Sequence, residues 1–230
     1  MTRVIGLDGD DTLWRNEEYF AVSQEMFRSL LRPYVNGDFD LDAELARYEK
    51  ANLELFGYGI KGFTLSMIET ALEVTKGRIG TGEIQALLDR GKEMLAHPVE
   101  LLDGVAETVP LLAERHPLVL ITKGDLFHQE QKLARSGLGE QFTHIEIVSE
   151  KDEATYTRIL RRHRIEPAEF LMIGNSVRSD VLPVLAIGAR AVHIPAEITW
   201  VHEHAEHDGS VPTLSSLREV PEWLATVEAV

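Results

Sequence analysis

Three carboxylates crowd into four positions near the start of the chain, in Asp8-Gly9-Asp10-Asp11-Thr12. The apolar run Val4-Ile5-Gly6-Leu7 leads into them, which reads as a buried strand opening into a loop. Carboxylates gathered at such a place repel one another and lose hydration. Their charge calls for an offset, and a divalent cation or a proton would supply it. Asp and Gly are also ordinary turn residues, so an acidic turn that merely ends a strand fits this stretch as well. The rest of the chain decides between the two.

Strand-like apolar runs recur further on, each closed by polar residues. Leu118-Val119-Leu120-Ile121 closes on Thr122-Lys123-Gly124-Asp125, and the run from Phe142 to Val148 closes on Ser149-Glu150-Lys151-Asp152. Phe170-Leu171-Met172-Ile173 closes on Gly174-Asn175-Ser176, and Ala191-Val192-His193-Ile194 closes on Pro195. Helical stretches separate these runs. Strands alternating with helices predict a parallel α/β sheet with right-handed crossovers. In such a sheet ligands bind beyond the carboxyl ends of the strands. Asp8 and Asp10, Thr122 and Lys123, Lys151, and the stretch from Asn175 to Asp180 all stand at such ends. An acidic turn by itself does not account for that convergence.

Residues 15–97 read differently. Phe20, Phe27, Leu30, Leu31 and Tyr34 keep helical spacing, and similar series follow through Leu45, Met67 and Leu87. The pattern predicts an all-helical block without strands, with Thr81 as the N-cap of its last helix. The expected division is therefore a sheet-forming core of residues 1–14 and 98–230, with residues 15–97 inserted. One stretch of the insert is shaped for contact, Gly57-Tyr58-Gly59-Ile60-Lys61-Gly62-Phe63. Its glycines let the backbone come close to a ligand, while Tyr58 and Lys61 give polar reach. A plain interhelical loop accounts for it equally.

The 230 residues are 44% apolar and 27% charged, which suits a soluble globular protein with a real core. A net charge of −15 argues against nucleic acid as a partner, since nucleic-acid-binding proteins carry a basic footprint. A small anionic substrate stays compatible with it. Without cysteine, disulfides, thiolate metal sites and cysteine nucleophiles are excluded. No uncharged apolar run approaches the ~20 residues that span a bilayer, and a signal-peptide pattern is missing. The expectation is a cytoplasmic protein with no membrane partner.

Four strand-end signatures in this order resemble the haloacid dehalogenase (HAD) superfamily, in the group with a helical, C1-type cap inserted after the first strand. The first matches Asp8-Gly9-Asp10-Asp11-Thr12, the second Thr122, the third Lys151, and the fourth Gly174-Asn175-Ser176 through Asp180. The resemblance implies a Rossmann-like parallel sheet flanked by helices, with the helical block as a cap over the strand ends that excludes water and chooses the substrate. It implies Mg2+, with Asp8, the backbone carbonyl of Asp10, Asn175 and Asp180 as the residues around it. Asp8 would attack phosphorus to give an aspartyl-phosphate that water hydrolyses. Asp10 would protonate the leaving oxygen and then activate the water. Relatives that cleave carbon–halogen bonds lack an aspartate there, because a leaving halide needs no proton.

The same resemblance gives phosphate binding to Thr122, with the backbone N–H groups of Lys123 and Gly124, and to Lys151. The Lys123 side chain itself reads as solvated. Asn175 departs from the aspartate more usual at its position and brings an oxygen without a charge. Asp11 reads as a local cap, Thr12 as a turn stabiliser, and Ser176 and Ser179 as lesser supports for the metal or its waters. Tyr58, Gly59 and Lys61 are the expected specificity residues. His202, His204 and His207 read as part of a solvated acidic surface segment rather than a metal site. The implied activity is a Mg2+-dependent phosphatase acting on a small phosphorylated metabolite. A mutase, a phosphonate-cleaving enzyme (for which Lys61 is the available cap lysine) and a non-catalytic phosphate-binding relative are the alternatives. A phosphorylated receiver module would need its aspartate where this chain has Ser149.

Overall fold

The computed structural model describes residues 2–198, 200–203, 205, 209 and 211–228. Five parallel strands form one sheet in the order β3-β2-β1-β4-β5. They are β1 (Val4–Leu7), β2 (Leu118–Lys123), β3 (His144–Val148), β4 (Phe170–Gly174) and β5 (Arg190–His193). β1 lies at the centre, paired with β2 on one side and β4 on the other. Side chains alternate between faces along a strand, so the strands feed two separate cores. Ile5, Leu7, Leu118 and Leu120 join Val109, Leu171 and Val192 in one. Val119 and Ile121 join Tyr156, Ile159, Phe170 and Met172 in the other. A strand covered on both faces reads as a continuous apolar run, which is how β1, β2 and β4 stand out in the sequence, while the edge strands β3 and β5 carry polar residues.

α5 (Val105–Ala113) precedes β2, and the two helices that follow β2 and β3 start on side-chain caps. In α6 (Leu126–Ser136) the Asp125 side chain accepts from His128 N, and Gly137 takes the left-handed conformation, φ 73°, at its end. In α7 (Glu153–His163) Asp152 caps the N–H of Thr155. The caps matter to the site because Lys123 and Lys151 lie immediately before these helix starts. The outer strands end in different ways. On β3 the buried Glu146 carboxylate accepts from Arg162 Nη1 at 2.9 and 2.8 Å and lies 2.7 Å from His163 Nε2. On β5 the backbone of His193 bonds to Pro212 O and Leu214 N, each at 2.9 Å, so a short extended segment runs alongside it.

The chain divides into two compact units. One carries the sheet, built from the segments up to Glu17 and from Val99 onward; the other is Glu18–Pro98. The second unit is built from most of α1 (Glu17–Leu31), with α2 (Leu41–Phe56), α3 (Ile60–Val74) and α4 (Thr81–Ala96), and contains no strand among its described residues. Phe27, Leu31, Leu45, Phe63, Met67 and Leu87 make its core. Burying each such side chain contributes about 1.5–3 kcal/mol. The N-cap expected at Thr81 sits one residue earlier, at Gly80. Thr81 is already helical, and the Glu83 carboxylate accepts from the Gly80 N–H, so the side chain three residues on caps in its place. Gly57 and Gly59 hold φ of 69° and 107° between α2 and α3. Chain reversal therefore requires those glycines, while Ile60-Lys61-Gly62 already form the first turn of α3. No helix among the described residues is long and apolar enough to cross a membrane.

Candidate active site

The loop after β1 is fixed from both ends. Asp8 N–H donates to Ile173 O at 3.0 Å, continuing the ladder to β4, and Gly9 O accepts from the N–H groups of Thr12, Leu13 and Trp14. A Cβ on Gly9 would come within 2.8 Å of the Trp14 ring and 3.2 Å of Thr122 Oγ1. Only glycine lets the loop pass between them. Asp11 takes a left-handed φ of 57°, and its carboxylate accepts from the N–H groups of Asn16 and Glu17. It caps the start of α1. Burial, and then the charge of Asp10, push Asp11 up to about 6.

Asp8, Lys151 and Asp180 are in direct contact. Lys151 Nζ donates to Asp8 Oδ1 at 2.5 Å and to Asp180 Oδ1 at 2.6 Å, and all three residues are buried. Asp180 Oδ2 accepts from Ser176 N–H at 3.1 Å, and Tyr156 OH donates to Ser179 O at 3.0 Å beside it. One ammonium thus serves two buried carboxylates. Burial and then Asp180 push Asp8 up to about 7, with Lys151 opposing them. Burial alone would lower Lys151, but Asp180 and Asp8 outweigh it and hold the ammonium well above its ordinary value.

That pocket is short of one positive charge, and its donors are hard oxygens, which suits Mg2+. Among the described residues no group of three or more His, Asp or Glu side chains forms a ready metal cage. Mg2+ does not need one, since it keeps several waters and takes one or two carboxylates. Asp8 and Asp180, brought together at Lys151, are the carboxylates that would hold it. Asn175 Oδ1 stands 3.3 Å from Thr12 Oγ1, which also lies 3.4 Å from Asp8 Oδ2. Thr12 therefore links Asp8 to Asn175. Thr122 Oγ1 is buried and has no hydrogen-bond partner among the described residues. A buried hydroxyl left so costs about 1–3 kcal/mol, which makes it a ready contact for an acceptor such as a phosphoryl oxygen.

Asp10 sits in a cage of its own. Its Oδ1 accepts from Trp14 Nε1 at 2.6 Å and from Lys132 Nζ at 2.7 Å, and its Oδ2 accepts from Gln129 Nε2 at 2.8 Å. Lys132 Nζ also donates to Asn16 Oδ1 at 2.7 Å. Burial would raise Asp10, but the Lys132 charge and these three donors outweigh it and hold the carboxyl below its usual range.

Several expected placements are corrected. Lys123 is neither solvated nor turned to a phosphate: its Nζ donates to Glu203 Oε1 at 2.5 Å and to Ser179 Oγ at 3.2 Å. The Gly124 N–H is spent on Val148 O at 3.3 Å, so sheet pairing takes the donor expected for phosphate. Ser176 and Ser179 turn their hydroxyls to Glu203. Glu203, expected on a solvated segment, has a side chain only 14% exposed. His202 is half-buried and its carbonyl accepts from Arg178 at 2.6 Å; His204 and His207 lie outside the described residues. Tyr58, Gly59 and Lys61 belong to the helical unit, at the turn between α2 and α3.

Sequence reasoning missed Trp14, Gln129, Lys132, Tyr156 and Glu203. Gln129 and Lys132 are three apart on α6 and share a face, a signal that was available. Glu203 offered none.

A family model for haloacid dehalogenase-like hydrolases matches residues 2–188. Among solved structures, the chain is similar to a haloacid dehalogenase-like family hydrolase from Xanthomonas campestris, at 43% identity and a TM-score of 0.87 over 99% of this chain and 92% of that one. It is similar in fold to a 2-haloacid dehalogenase from Pseudomonas syringae, at 20% identity and TM-score 0.64, covering 99% of this chain and 100% of that one. A magnesium-bound HAD hydrolase from Bacillus subtilis aligns at 16% identity and TM-score 0.69, over 97% and 99% of the two chains. No curated protein sequence matches the chain.

Proposed function

We propose, from the premise that the chain belongs to the haloacid dehalogenase-like hydrolases, that it is a Mg2+-dependent phosphatase of a small phosphorylated metabolite. The observation that carries this reading is the Asp8–Lys151–Asp180 cluster beside the unpartnered Thr122 hydroxyl. Asp10, two residues beyond Asp8, adds a carboxyl that serves a leaving alkoxide and has no use in expelling a halide, and its cage of Trp14, Gln129 and Lys132 holds it ionised at rest.

In this reading the Asp8 carboxylate attacks phosphorus and the alkoxide leaves, forming an aspartyl-phosphate. Thr122 donates its unpartnered hydroxyl to a phosphoryl oxygen, and Lys151 keeps the growing negative charge beside Asp8 offset. For Asp10 to hand a proton to the departing oxygen, substrate entry must first displace a cage donor and let the carboxyl take one up; it then accepts a proton from the water that cleaves the acyl phosphate. Bound Mg2+ would supply the missing charge that keeps Asp8 ionised and draws the phosphoryl group to it. Choice of substrate falls to the helical unit.

Purified protein should release phosphate from p-nitrophenyl phosphate with Mg2+, and no halide from a 2-chloro acid. A panel of phosphorylated metabolites then narrows the substrate. Halide release without phosphate release, or phosphate release that survives both EDTA and Asp8→Asn, would sink the reading.

A further inference from the structure

Glu203 reaches the strand ends from the segment after β5, beyond the residues of the four signatures. Its Oε2 accepts from Ser176 Oγ and Ser179 Oγ, both at 2.5 Å, and its Oε1 accepts from Lys123 Nζ at 2.5 Å. The turn that carries Glu203, Val201–Glu203, is tied down separately: Glu203 N–H donates to Trp200 O, and Arg178 Nη1 to His202 O.

Ser176 precedes, and Ser179 lies within, an unusual piece of backbone. Val177–Val181 is a π-helical turn, a conformation that is rare and tends to occur at functional sites. Ser176 caps it, its Oγ accepting from Ser179 N–H at 3.0 Å. The Ser176 N–H in turn holds Asp180 Oδ2. Asp180 has little room to move: a Cβ on Gly174 would lie within 2.3 Å of its carboxylate. Serine hydroxyls rotate freely on their own. One carboxylate oxygen that accepts from both fixes them together, and with them the N–H that aims Asp180.

We propose that Glu203 is a positioning residue for Asp180, acting through Ser176, and so sets how well the site takes up Mg2+. The proposal rests on the Mg2+-dependent reading above. It also explains why Lys123 stays off the reacting group, since Glu203 holds its ammonium. Residues that orient a metal ligand from behind typically cost about 10–100-fold in metal affinity when removed. Because Glu203 acts through Ser176, losing either one should cost the same, and losing both should cost no more.

The test is Mg2+ titration by calorimetry of the metal-free full chain, as wild type, E203A, S176A and the double variant, with thermal melting in EDTA for each. E203Q, which keeps the shape, replaces E203A if that variant does not fold. The expected result is a loss of about tenfold in Mg2+ affinity for each single variant, with the double variant no weaker than either. Affinities within about twofold of wild type, or losses that add in the double variant, overturn the inference. A lowered melting temperature in EDTA with unchanged Mg2+ affinity overturns it as well, marking Glu203 as a structural tie. A wild-type chain that takes up no Mg2+ overturns the proposed function and this inference with it. Wild-type uptake that the variants leave intact overturns this inference alone.

Discussion

Asp8 and Asp10 stand on one loop with a single glycine between them, yet their surroundings differ in sign. Asp8 shares the Lys151 ammonium with Asp180 and is pushed up to about 7 by burial and by that second carboxylate. Asp10 has Lys132 together with the donors of Gln129 and Trp14, and is held below the usual range although burial pushes it the other way. Neighbouring carboxyls whose environments drive them apart mark different roles. The Asp8 pocket lacks one charge and the Asp10 cage lacks none. Added cation should therefore act on the first pocket and leave the second indifferent.

The harshest test of that contrast removes the proposed nucleophile. Asp8→Asn should lower turnover of p-nitrophenyl phosphate by about four orders of magnitude or more, and a residual rate near wild type would end the assignment. Next in size, Lys151→Met strands two buried carboxylates. Urea unfolding in EDTA should show a loss of about 3–5 kcal/mol, with Mg2+ recovering more stability in the variant than in wild type.

The third test is pH. A group whose folded value is raised, as Asp8 is from 3.8 to about 7, holds its proton more tightly in the fold. Its contribution to stability is fully present below about 4 and is lost as pH rises towards 7, by up to about 4 kcal/mol. His128 runs the other way. Burial, then the Lys132 charge, lower it to about 4, so its neutral form gains stability as pH rises through that same interval. Subtracting the Asp8→Asn curve from the wild-type curve in EDTA isolates the Asp8 slope, and Mg2+ should abolish it. A flat difference would show that the pocket is already balanced.

Smaller effects belong to the cage. Lys132→Met should cut kcat by about tenfold with KM little changed, since positioned proton transfer contributes about 10²–10⁴-fold. Added Mg2+ should not restore that loss, because the missing charge there is not a metal's. Trp14→Phe removes one donor and should cost about 0.5–1.5 kcal/mol in urea unfolding.

What the sequence disclosed follows the same division. Asp8, Thr122 and Asp180 come after continuous apolar runs, and a strand buried on both faces announces itself that way; Lys151 comes after the edge strand β3, where polar and apolar residues alternate. Their meeting could be read because a parallel sheet brings its carboxyl ends together. The Asp10 cage could not be read so easily. Gln129 and Lys132 look like solvated positions of an amphipathic helix, and only the placement of α6 beside the loop turns them inward. Lys123 misled because a lysine at a strand end fits an anion site, while its partner Glu203 lies 80 residues away. Gly57 and Gly59 misled in another way: their positive φ serves the turn between helices, a need that looks the same in sequence as closeness to a ligand.

The two edges of the sheet bear on a separate matter, how the protein behaves when crowded. An open strand edge is a template on which another chain can extend the sheet. Here β5 is already lined by the segment around Pro212 and Leu214. On β3, the outermost strand opposite, Glu146 is buried against Arg162 and His163. A newcomer docking there would disturb that ion pair and trap a carboxylate without its partner. Backbone covers the β5 edge at His193 and an inward-pointing charge marks the β3 edge, two of the devices that discourage one sheet from extending another.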